Sequence, residues 1–508
     1  MTQARKPVGA GAVLGWLALS ALAPGAAHLR MGWRRTGLVL LGGYLAALVA
    51  LLAVALLNDG LLGALTRDSS LTAITVGSVV LALAWFALVV HSFVVLRPGG
   101  LSQAGQVLTG TLAGLLAVAV VLPFAWAAQT AWISRQTIND IFDAPAAAPG
   151  APESVVPEDP WAGRERVNIL LLGGDADDHR TGVRTDSMNV ASIDVGTGAT
   201  VLFSLPRNLE DVRFRPGTPM AQAFPDGFRL PRDPGGGRSD LLNSVWEYAD
   251  AHPEIFGGRP HQGPKVLMDT IGYTLGLKID WYALVNMWGF ARLIDAIGGV
   301  RLHVEQDVVF GRYNEGLVKA GTRKLKGADA MWYARSRTFS DDFTRMRRQR
   351  CVMGALLEQA DPATVLSRFH RVALATKELI RTDIPRDMLE HLVPLALKVK
   401  NAEVTSVQFV PPLINTGYPD WERIRQITKE AIRDSESPPA RAATAAPSPI
   451  PGDATATATA TASASTTATA SATTTASATA TPRATPSGPR SPKPKGATQG
   501  LSEGCGAA

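Results

Sequence analysis

Three long apolar stretches occupy the first quarter of the chain. Residues 36–57 and 107–128 carry no charged side chain, and residues 71–96 contain only His91 as a titratable group. Each stretch is long enough to cross the hydrocarbon core of a bilayer as a helix. The pattern therefore predicts a membrane region over residues 1–135 with three transmembrane helices.

Basic residues predict how these helices are oriented. Three arginines precede the first span and Arg97 follows the second, whereas the loop 58–70 carries one arginine against two aspartates. The positive-inside rule places residues 28–35 and 97–106 in the cytoplasm and everything after the third span outside it. The orientation of the domain is the same whether the apolar segment 8–27 spans the bilayer or lies at its surface.

The rest of the chain divides into three parts. Residues 136–164 are rich in Pro and Ala and predict an extended linker. Residues 165–434 have mixed apolar periodicity and enough length to bury a core of their own. Residues 435–508 are expected to be disordered, because 454–481 contain only Ala, Thr and Ser and bury too little apolar surface to offset the entropy of folding. Such a tail suits a wall-penetrating or O-glycosylated stalk, or it is inert.

The soluble part begins with three predicted strands, in the segments 167–172, 187–195 and 201–204. In an antiparallel meander, the end of the first strand, the start of the second and the end of the third share one edge of the sheet. Four charged residues occupy these positions: Asp175, Arg184, Asp186 and Arg207. Carboxylates bind hard divalent cations, and arginine matches phosphate oxygens. The spacing favours such a site no more than a polar loop cluster with surface ion pairs.

A second charged stretch, RSRTFSDDFTRMRRQR at residues 335–350, holds six arginines interrupted by two aspartates. Its first part is predicted to lie on a strand that places Arg335 and Arg337 on the same face. After a turn near Ser340, residues 342–360 predict a helix. Asp341 or Asp342 is expected at its N-cap or in its first turn.

The predicted helix has a polar and an apolar side. Arg345, Arg348, Gln349 and Val352 share one side, and a stripe of Met346, Met353 and Leu357 is typical of core packing. Outside the membrane, cytoplasmic lipid and nucleic acid are poor partners for these arginines. A lipid pyrophosphate suits them better, and the alternative is a solvated basic face.

Charge and cysteine content narrow the function further. A net charge of +6 over 508 residues is too small for a dedicated nucleic-acid binder. The two cysteines, Cys351 and Cys505, match no metal or redox spacing. Cys351 is predicted to pack as a small hydrophobe, and Cys505 to be a free thiol in the tail.

Six sequence blocks occur in the order seen in LytR-CpsA-Psr proteins: NILLLGGDADD, VRTDSMNVASID, SLPRN, DAIGGVRLHV, AGTRKLKGADAMWYARSR and DDFTRMRRQR. The chain resembles that family over roughly residues 165–360. The resemblance implies an α/β domain with a mixed β-sheet flanked by α-helices. It also implies transfer of an anionic glycopolymer from a polyprenyl-pyrophosphate carrier to peptidoglycan, outside the cell and with Mg²⁺ or Mn²⁺.

The resemblance also implies roles for individual residues. Asp175 and Asp186 would bind the metal and, with Arg207 and Arg345, form the catalytic centre. The pyrophosphate would contact Arg184, Arg207, Arg335, Arg337, Arg345 and Gln349. The apolar segment 279–299 would line a slot for the prenyl chain or belong to the core.

Several positions depart from the family pattern. Asn208 replaces the usual aspartate after the Pro-Arg pair, Asp211 replaces an arginine of some members, and Leu242 replaces a basic residue before Asn243. Arg213 or Arg238 could compensate for the missing charge. Several membrane spans are also unusual for the family. These departures leave room for an altered acceptor, or for reduced or absent activity.

The sequence therefore predicts a multi-pass cell-membrane phosphotransferase with an extracytoplasmic C-terminal domain. Its predicted partners are the lipid-linked glycopolymer, peptidoglycan and the bilayer, and not nucleic acid. One alternative is a non-catalytic protein that binds polyprenyl phosphate or wall polymer. Another is a membrane-bound regulator of envelope genes, against which the short cytoplasmic loops argue.

Overall fold

The computed structural model describes residues 9–57, 61–96, 100–142, 159–175, 184–232, 237–359, 380–436 and 497–505. The Ala/Thr/Ser run at 454–481 lies outside these residues, as does most of the predicted linker.

The N-terminal region is helical, as predicted. Its helices are α1 (Ala10–Leu22), α2 (Ala26–Arg30), α3 (Arg34–Leu57), α4 (Leu61–Ala64), α5 (Asp68–Val95) and α6 (Gln103–Phe142). In the described part of the chain, α3, α5 and α6 are long and apolar enough to cross a membrane. Helix α1 has 13 residues, about 20 Å, which is shorter than a bilayer core. It packs instead through Val13 and Leu17 into the same apolar cluster as Val89 of α5.

The linker begins later than predicted. Helix α6 continues to Phe142 because Ile138 and Ile141 keep an apolar face that is buried. Phe142 packs against the core of the following domain, and Arg164 donates a 2.5 Å hydrogen bond to Asp280. The prediction of an extended linker over the whole of 136–164 was therefore wrong at both ends, and residues 143–158 lie outside the described residues.

The domain after the membrane region is built on a mixed sheet. Its described strands are β1 (Arg166–Asp175), β2 (Arg184–Asp194), β3 (Thr200–Leu205), β4 (Trp281–Asn286), β9 (Ile380–Thr382), β10 (Val404–Gln408) and β11 (Gln499–Gly500), in the order β11-β10-β3-β2-β1-β4-β9. The first three form the predicted antiparallel meander. Strand β4 runs parallel to β1, and β10 runs parallel to β3.

Helices cover both faces of this sheet, which confirms the predicted fold class. They are α7 (Pro219–Ala223), α8 (Val245–Ala251), α9 (Gly263–Leu275), α10 (Met287–Ala296), α11 (Gly327–Arg335), α12 (Asp342–Gln359), α13 (Leu389–Asn401) and α14 (Trp421–Glu436). Helices α8, α9 and α14 pack on one face, and α12 and α13 on the other. Two small antiparallel pairs, β5 (Val300–Val304) with β8 (Gly321–Leu325) and β6 (Val308–Phe310) with β7 (Gly316–Val318), complete the described elements.

Arg335 does not lie on a strand, contrary to the prediction. Residues 327–335 form helix α11, in which Ala330 and Tyr333 are buried at helical spacing. The helix packs closely on α10, since a Cβ at Gly327 would lie 1.9 Å from the carbonyl oxygen of Ala291. Helix-forming alanines and this contact outweigh the strand preference of the aromatic residues.

The end of the tail is ordered, contrary to the prediction for 435–508. Residues 497–505, here called the C-terminal clasp, add β11 to the open edge of β10, and Leu501 is buried in the core. Cys505 forms a disulfide with Cys351 of α12, so neither cysteine is free. The prediction averaged the composition of the whole tail, although Leu501 and Cys505 follow its low-complexity run.

The membrane region is joined to the domain by ion pairs. Asp68, at the start of α5, accepts a 2.8 Å bond from Arg135 of α6 and lies 3.2 Å from Arg386 of the domain. Arg67 pairs with Glu390 at the start of α13. These contacts join the start of α5 and the end of α6 to the domain.

Asp383, which follows β9, should make stability depend on pH. Burial raises the pKa of its carboxyl to about 6, although the backbone N–H of Tyr282 donates to it at 2.7 Å. The ionised carboxylate destabilises the fold at pH values above about 6, and this penalty vanishes below the unfolded pKa near 4. Asp383→Asn keeps an acceptor for Tyr282 and should stabilise the protein by about 1–2 kcal/mol at pH 7.5.

Thermal unfolding of the full chain in detergent between pH 7.5 and 4.5 measures this effect. The advantage of the Asp383→Asn variant should be constant above about pH 6 and should shrink as the pH falls from about 6 toward 4. An advantage that is the same at every pH would show that the charge of Asp383 is not its cause.

Candidate functional site

One edge of the main sheet collects the predicted site residues. Strand β1 ends at Asp175, which pairs with Arg184 at the start of β2, and Arg207 follows the end of β3. Strand β4 ends at the same edge, because Gly174 pairs with Asn286. We call this edge the site end of the sheet. The meander thus places the four charged positions as predicted, although the side chain of Asp175 lies outside the described part.

A pocket opens between this end of the sheet and the first turns of α12. It is lined by Asp186, Ser187, Met188, Asn189, Ser204, Leu205, Arg207, Arg345, Met346 and Gln349. Four predicted site residues are therefore brought together from three separate segments. The two segments that carry Arg207 and Arg345 are 138 positions apart in the sequence.

Two aspartates hold the two arginines in place. Arg207 donates from Nη1 to Oδ1 of Asp186 at 2.5 Å and from Nε to Oδ1 of Asp342 at 3.1 Å. Arg345 donates from Nη2 to the backbone oxygen of Asp186 at 3.0 Å and lies 3.1 Å from the Asp342 carboxylate. Asp342, predicted only as a capping or first-turn residue, therefore bridges both arginines.

Arg345 is a buried cation with incomplete bonding. Its side chain is 4% exposed, and its Nε has no hydrogen-bond partner among the described residues. Burial lowers the pKa of its guanidinium, and nearby Asp342 opposes this by attraction. The positive charges of Arg207 and Arg337 lower the pKa further. A buried arginine in this state is stabilised by an anion, so the pocket is suited to bind one.

The start of α12 places Arg345 in the pocket. Asp341 caps the helix by accepting a 2.7 Å bond from the backbone N–H of Thr344, which confirms the predicted cap region. Asp342 and Arg345 occupy the first turn, where the helix dipole also favours an anion. Gln349, one turn further on, donates to the carbonyl of Ala334 at 3.3 Å and joins α12 to α11.

The floor of the pocket is formed by polar residues of β2 and β3 that were not among the predicted site residues. Ser204 donates to Oδ1 of Asn189 at 2.6 Å, and Asn189 donates to Ser187 at 3.0 Å. Asn189 and Ser204 are opposite each other on β2 and β3, and both are buried. Polar residues at alternate positions of an otherwise apolar strand were the available signal.

Other predicted contact residues lie outside the pocket lining. Arg184 bonds to Glu247 of α8 at 3.1 Å. The guanidinium of Arg335 lies over the ring of Trp332, 5.4 Å from its centre. Arg337 is linked to the pocket only through its electrostatic effect on Arg345.

The remaining arginines of α12 face different surroundings. Arg347 is 43% exposed and pairs with Glu305 at 2.9 Å. Arg348, predicted on the same side as Arg345, donates to the carbonyl of Ser336 and lies over Tyr333. Met353 and Leu357 pack in the core as predicted.

The positions that depart from the family pattern carry their own contacts. The buried Oδ1 of Asn208 has no partner among the described residues. Asp211 pairs with Arg213 and Arg229, and Arg238 pairs with Glu210 and Asp240. Arg213 and Arg238 are thus engaged elsewhere, and neither compensates in the pocket as described.

The carboxylates can be tested for a fit to Mg²⁺. In the described part of the chain, no three acidic, His or Cys side chains form a metal cluster. Mg²⁺ commonly uses only one or two carboxylates together with phosphate oxygens and water. Arg207 takes Oδ1 of Asp186, and no described residue bonds to its Oδ2. A site that the substrate completes therefore fits these residues.

The domain that carries this site is similar to known proteins. The LytR_cpsA_psr family model matches residues 146–419. The chain is 29% identical over 304 residues to the probable cell wall biosynthesis protein LcpB of Corynebacterium glutamicum, covering 58% of this chain and 63% of LcpB. It is 29% identical over 232 residues to the polyisoprenyl-teichoic acid–peptidoglycan teichoic acid transferase TagU of Oceanobacillus iheyensis, covering 45% and 62%.

The chain spans less than two thirds of the length of these two relatives. Among solved structures, B. subtilis TagV is similar at 21% identity with a TM-score of 0.36, covering 53% of this chain and 97% of that one.

Proposed function

Because the chain belongs to the LytR-CpsA-Psr family, we propose that it is a phosphotransferase of the cell envelope. It moves an anionic glycopolymer from a polyprenyl-pyrophosphate carrier to peptidoglycan, outside the cytoplasm. The names of its relatives, a teichoic acid transferase and a cell wall biosynthesis protein, support this reaction class.

The incomplete bonding of Arg345 carries the proposal. Arg207, Arg337 and Arg345 carry three positive charges. Asp186 and Asp342 carry two negative charges. One positive charge is left over in this set, so the set would attract an anion such as a pyrophosphate. Its phosphate oxygens would bond to the guanidiniums of Arg207 and Arg345, and the Nε of Arg345 has no partner among the described residues.

The proposed step is a displacement at the phosphorus that bears the sugar. A hydroxyl oxygen of the acceptor attacks this atom, the anhydride P–O bond breaks, and polyprenyl phosphate leaves with the electron pair. The acceptor proton passes to one of the two carboxylates, that of Asp175 or that of Asp186. Arg207 and Arg345 stabilise the charge that develops on the phosphate oxygens.

The supporting residues have separate roles in this proposal. Asp342 positions both arginines before the substrate arrives, which lowers the cost of reorganisation. Arg184, Arg335 and Arg337 lie outside the pocket lining and would contact more distant phosphate oxygens. Mg²⁺ or Mn²⁺, held by Asp175 and Asp186, would neutralise phosphate charge when bound.

Turnover by the purified full-length chain in detergent tests the proposal. A lipid-pyrophosphate-linked glycopolymer and peptidoglycan fragments should yield free polyprenyl phosphate and a covalent glycan product, and a chelator should lower the rate. Binding of the donor without release of polyprenyl phosphate would favour the non-catalytic alternative. The non-catalytic alternative has a specific basis at Asn208, since this residue replaces an aspartate that the family usually carries.

The orientation in the membrane is part of the proposal. A reporter that is active only in the cytoplasm, fused after residue 150, should give no signal, since the basic loops 28–35 and 97–106 face the cytoplasm. The same reporter fused within 97–106 is the matched positive control. A strong signal from the first fusion would exclude a wall polymer as the substrate.

A further inference from the structure

Few large apolar side chains of the domain are strongly exposed. In its described part they are Trp288, Tyr313, Leu317, Phe339 and Tyr418. Phe339 is 84% exposed and lies on the turn between α11 and α12. It follows Arg337 by two residues and precedes Asp342 by three, so the turn that carries it leads directly into the helix whose first turn lines the arginine pocket.

The backbone at Phe339 is unusual for a bulky residue. Its φ is +56°, in the left-handed region that favours glycine. The turn is held by a 3.0 Å bond from Ser340 N–H to the carbonyl of Arg337 and a 3.2 Å bond from Thr338 N–H to Ser336. An exposed ring kept in an unfavourable conformation beside a site points to a role for the ring.

Trp288 lies at the same end of the sheet. Asn286 ends β4 beside Gly174 and caps α10 by accepting a 2.7 Å bond from Gly289, which places Trp288 in the first turn of that helix. Strand β4 is two strands from β2, so this turn lies about 10 Å from Asp186. The ring of Trp288 is also more than half exposed.

The location of these rings favours a sugar over a lipid. The membrane helix α6 contacts the domain through Phe142, which packs against the apolar cluster that contains Trp281, at the opposite end of β4 and about 17 Å from the site end. The rings therefore lie at the end of the sheet away from the anchor. An isoprenoid chain needs enclosure, whereas a sugar ring offers one apolar C–H face and keeps its hydroxyls in water.

We propose that Phe339, together with Trp288 at the same end of the sheet, forms a sugar-stacking surface that binds a pyranose ring next to the pyrophosphate pocket. This rests on the proposed function. The ring belongs either to the first sugar of the donor or to the acceptor glycan, and both offer the same C–H face.

Steady-state kinetics of Phe339→Ala separates the two sources. We expect KM for one of the two substrates to rise about five- to tenfold with kcat nearly unchanged, because stacking is present in both the bound and the transition state. A higher KM for the donor would show that Phe339 stacks on the first sugar of the donor. A higher KM for the acceptor would show that it stacks on the acceptor glycan. Phe339→Trp, which keeps a stacking face, should restore KM.

Matched controls exclude an indirect effect. Tyr313 is 80% exposed on the β6–β7 hairpin. This hairpin runs back along α11, away from Phe339: Ser336 donates to the carbonyl of Val309, and Phe310 stacks on Trp332. Tyr313→Ala should therefore leave both KM values unchanged. Phe339→Ala should keep the melting temperature within about 2 °C of wild type, because an exposed ring contributes little to stability.

Two outcomes overturn the proposal while the proposed function stands. One is that Phe339→Ala changes neither KM. The other is that inhibition by sugar-free polyprenyl pyrophosphate weakens as much as KM rises, which would assign the ring to the lipid or the phosphates. If the wild type shows no turnover, the proposed function fails. The Kd of lipid-linked sugar, compared with that of the sugar-free lipid for both proteins, then tests the stacking directly.

Discussion

Replacing Arg345 with alanine is expected to lower turnover by about two to three orders of magnitude, as the loss of one preorganised charge-stabilising group commonly does. The guanidinium is buried, lies beside Arg207, and has an Nε without a partner in the described residues. Because Asp342 and the carbonyl of Asp186 offset only part of its desolvation cost in the free protein, its loss should cost little stability. The measurements are kcat/KM with the lipid-linked donor and thermal unfolding of the same preparation.

Two variants on the same helix act as controls. Arg347→Ala removes an exposed arginine that pairs with Glu305, and it should change kcat/KM less than twofold. Arg345→Lys keeps the charge and loses the planar fork, so it should recover only part of the rate. Equal damage from Arg347→Ala and Arg345→Ala would show that the helix, and not the Arg345 guanidinium, is what turnover requires.

The sheet edge of the site could be predicted because its geometry is local. Strands β1, β2 and β3 are consecutive and joined by short connections, so alternation of apolar residues was enough to align Asp186 with the end of β3. The resemblance of six ordered blocks then supplied Arg345, which no local pattern relates to Arg207. In the structure Asp186, Arg207 and Arg345 line the same pocket.

The role of Asp342 could not be read from the sequence in the same way. Capping and first-turn preferences apply equally to Asp341 and Asp342, and only the packing of α12 against the sheet decides between them. In the structure Asp341 caps the helix, and Asp342 reaches Arg207 across 135 positions of sequence. Such a bridge depends on tertiary contacts that periodicity does not encode.

The error at Arg335 has a different origin. The segment before it mixes alanines with Trp332 and Tyr333, and a short run of this kind suits a helix or a strand. Contact with α10 decides for the helix, because Gly327 allows the two backbones to approach. As a result Arg335 and Arg337 do not share a strand face, and Arg337 is electrostatically coupled to Arg345.

The C-terminal clasp is expected to stabilise the domain strongly. Cys505 is bonded to Cys351, six residues after Arg345 on α12, and the two cysteines are 154 positions apart. Arg350 of the same helix donates to Gln499 and, at 2.7 Å, to the carbonyl of Glu503. Ser502 donates to Glu358 at 2.5 Å, and Leu501 is buried in the core. The clasp therefore holds the helix that carries Arg345 against the sheet.

Cys505→Ser should lower the stability of the domain by about 2–5 kcal/mol, because it releases a long loop in the unfolded chain. For a domain of this size the melting temperature should fall by about 5–15 °C. Cys351→Ser and the double variant should give the same loss as Cys505→Ser, since one bond is removed in each case. Thermal unfolding of the full chain in detergent, without reductant, measures all three.

Excision of residues 454–481 is the matched control, because it shortens the tail and keeps both the clasp and its disulfide. The entropy of closing a flexible loop changes slowly with its length, so this variant should melt within about 2 °C of wild type. A loss confined to the cysteine variants would show that the tail stabilises the domain through its last residues. An unchanged melting temperature for Cys505→Ser would contradict a stabilising role for the clasp. A large loss on excising 454–481 would place a stabilising role in the low-complexity run.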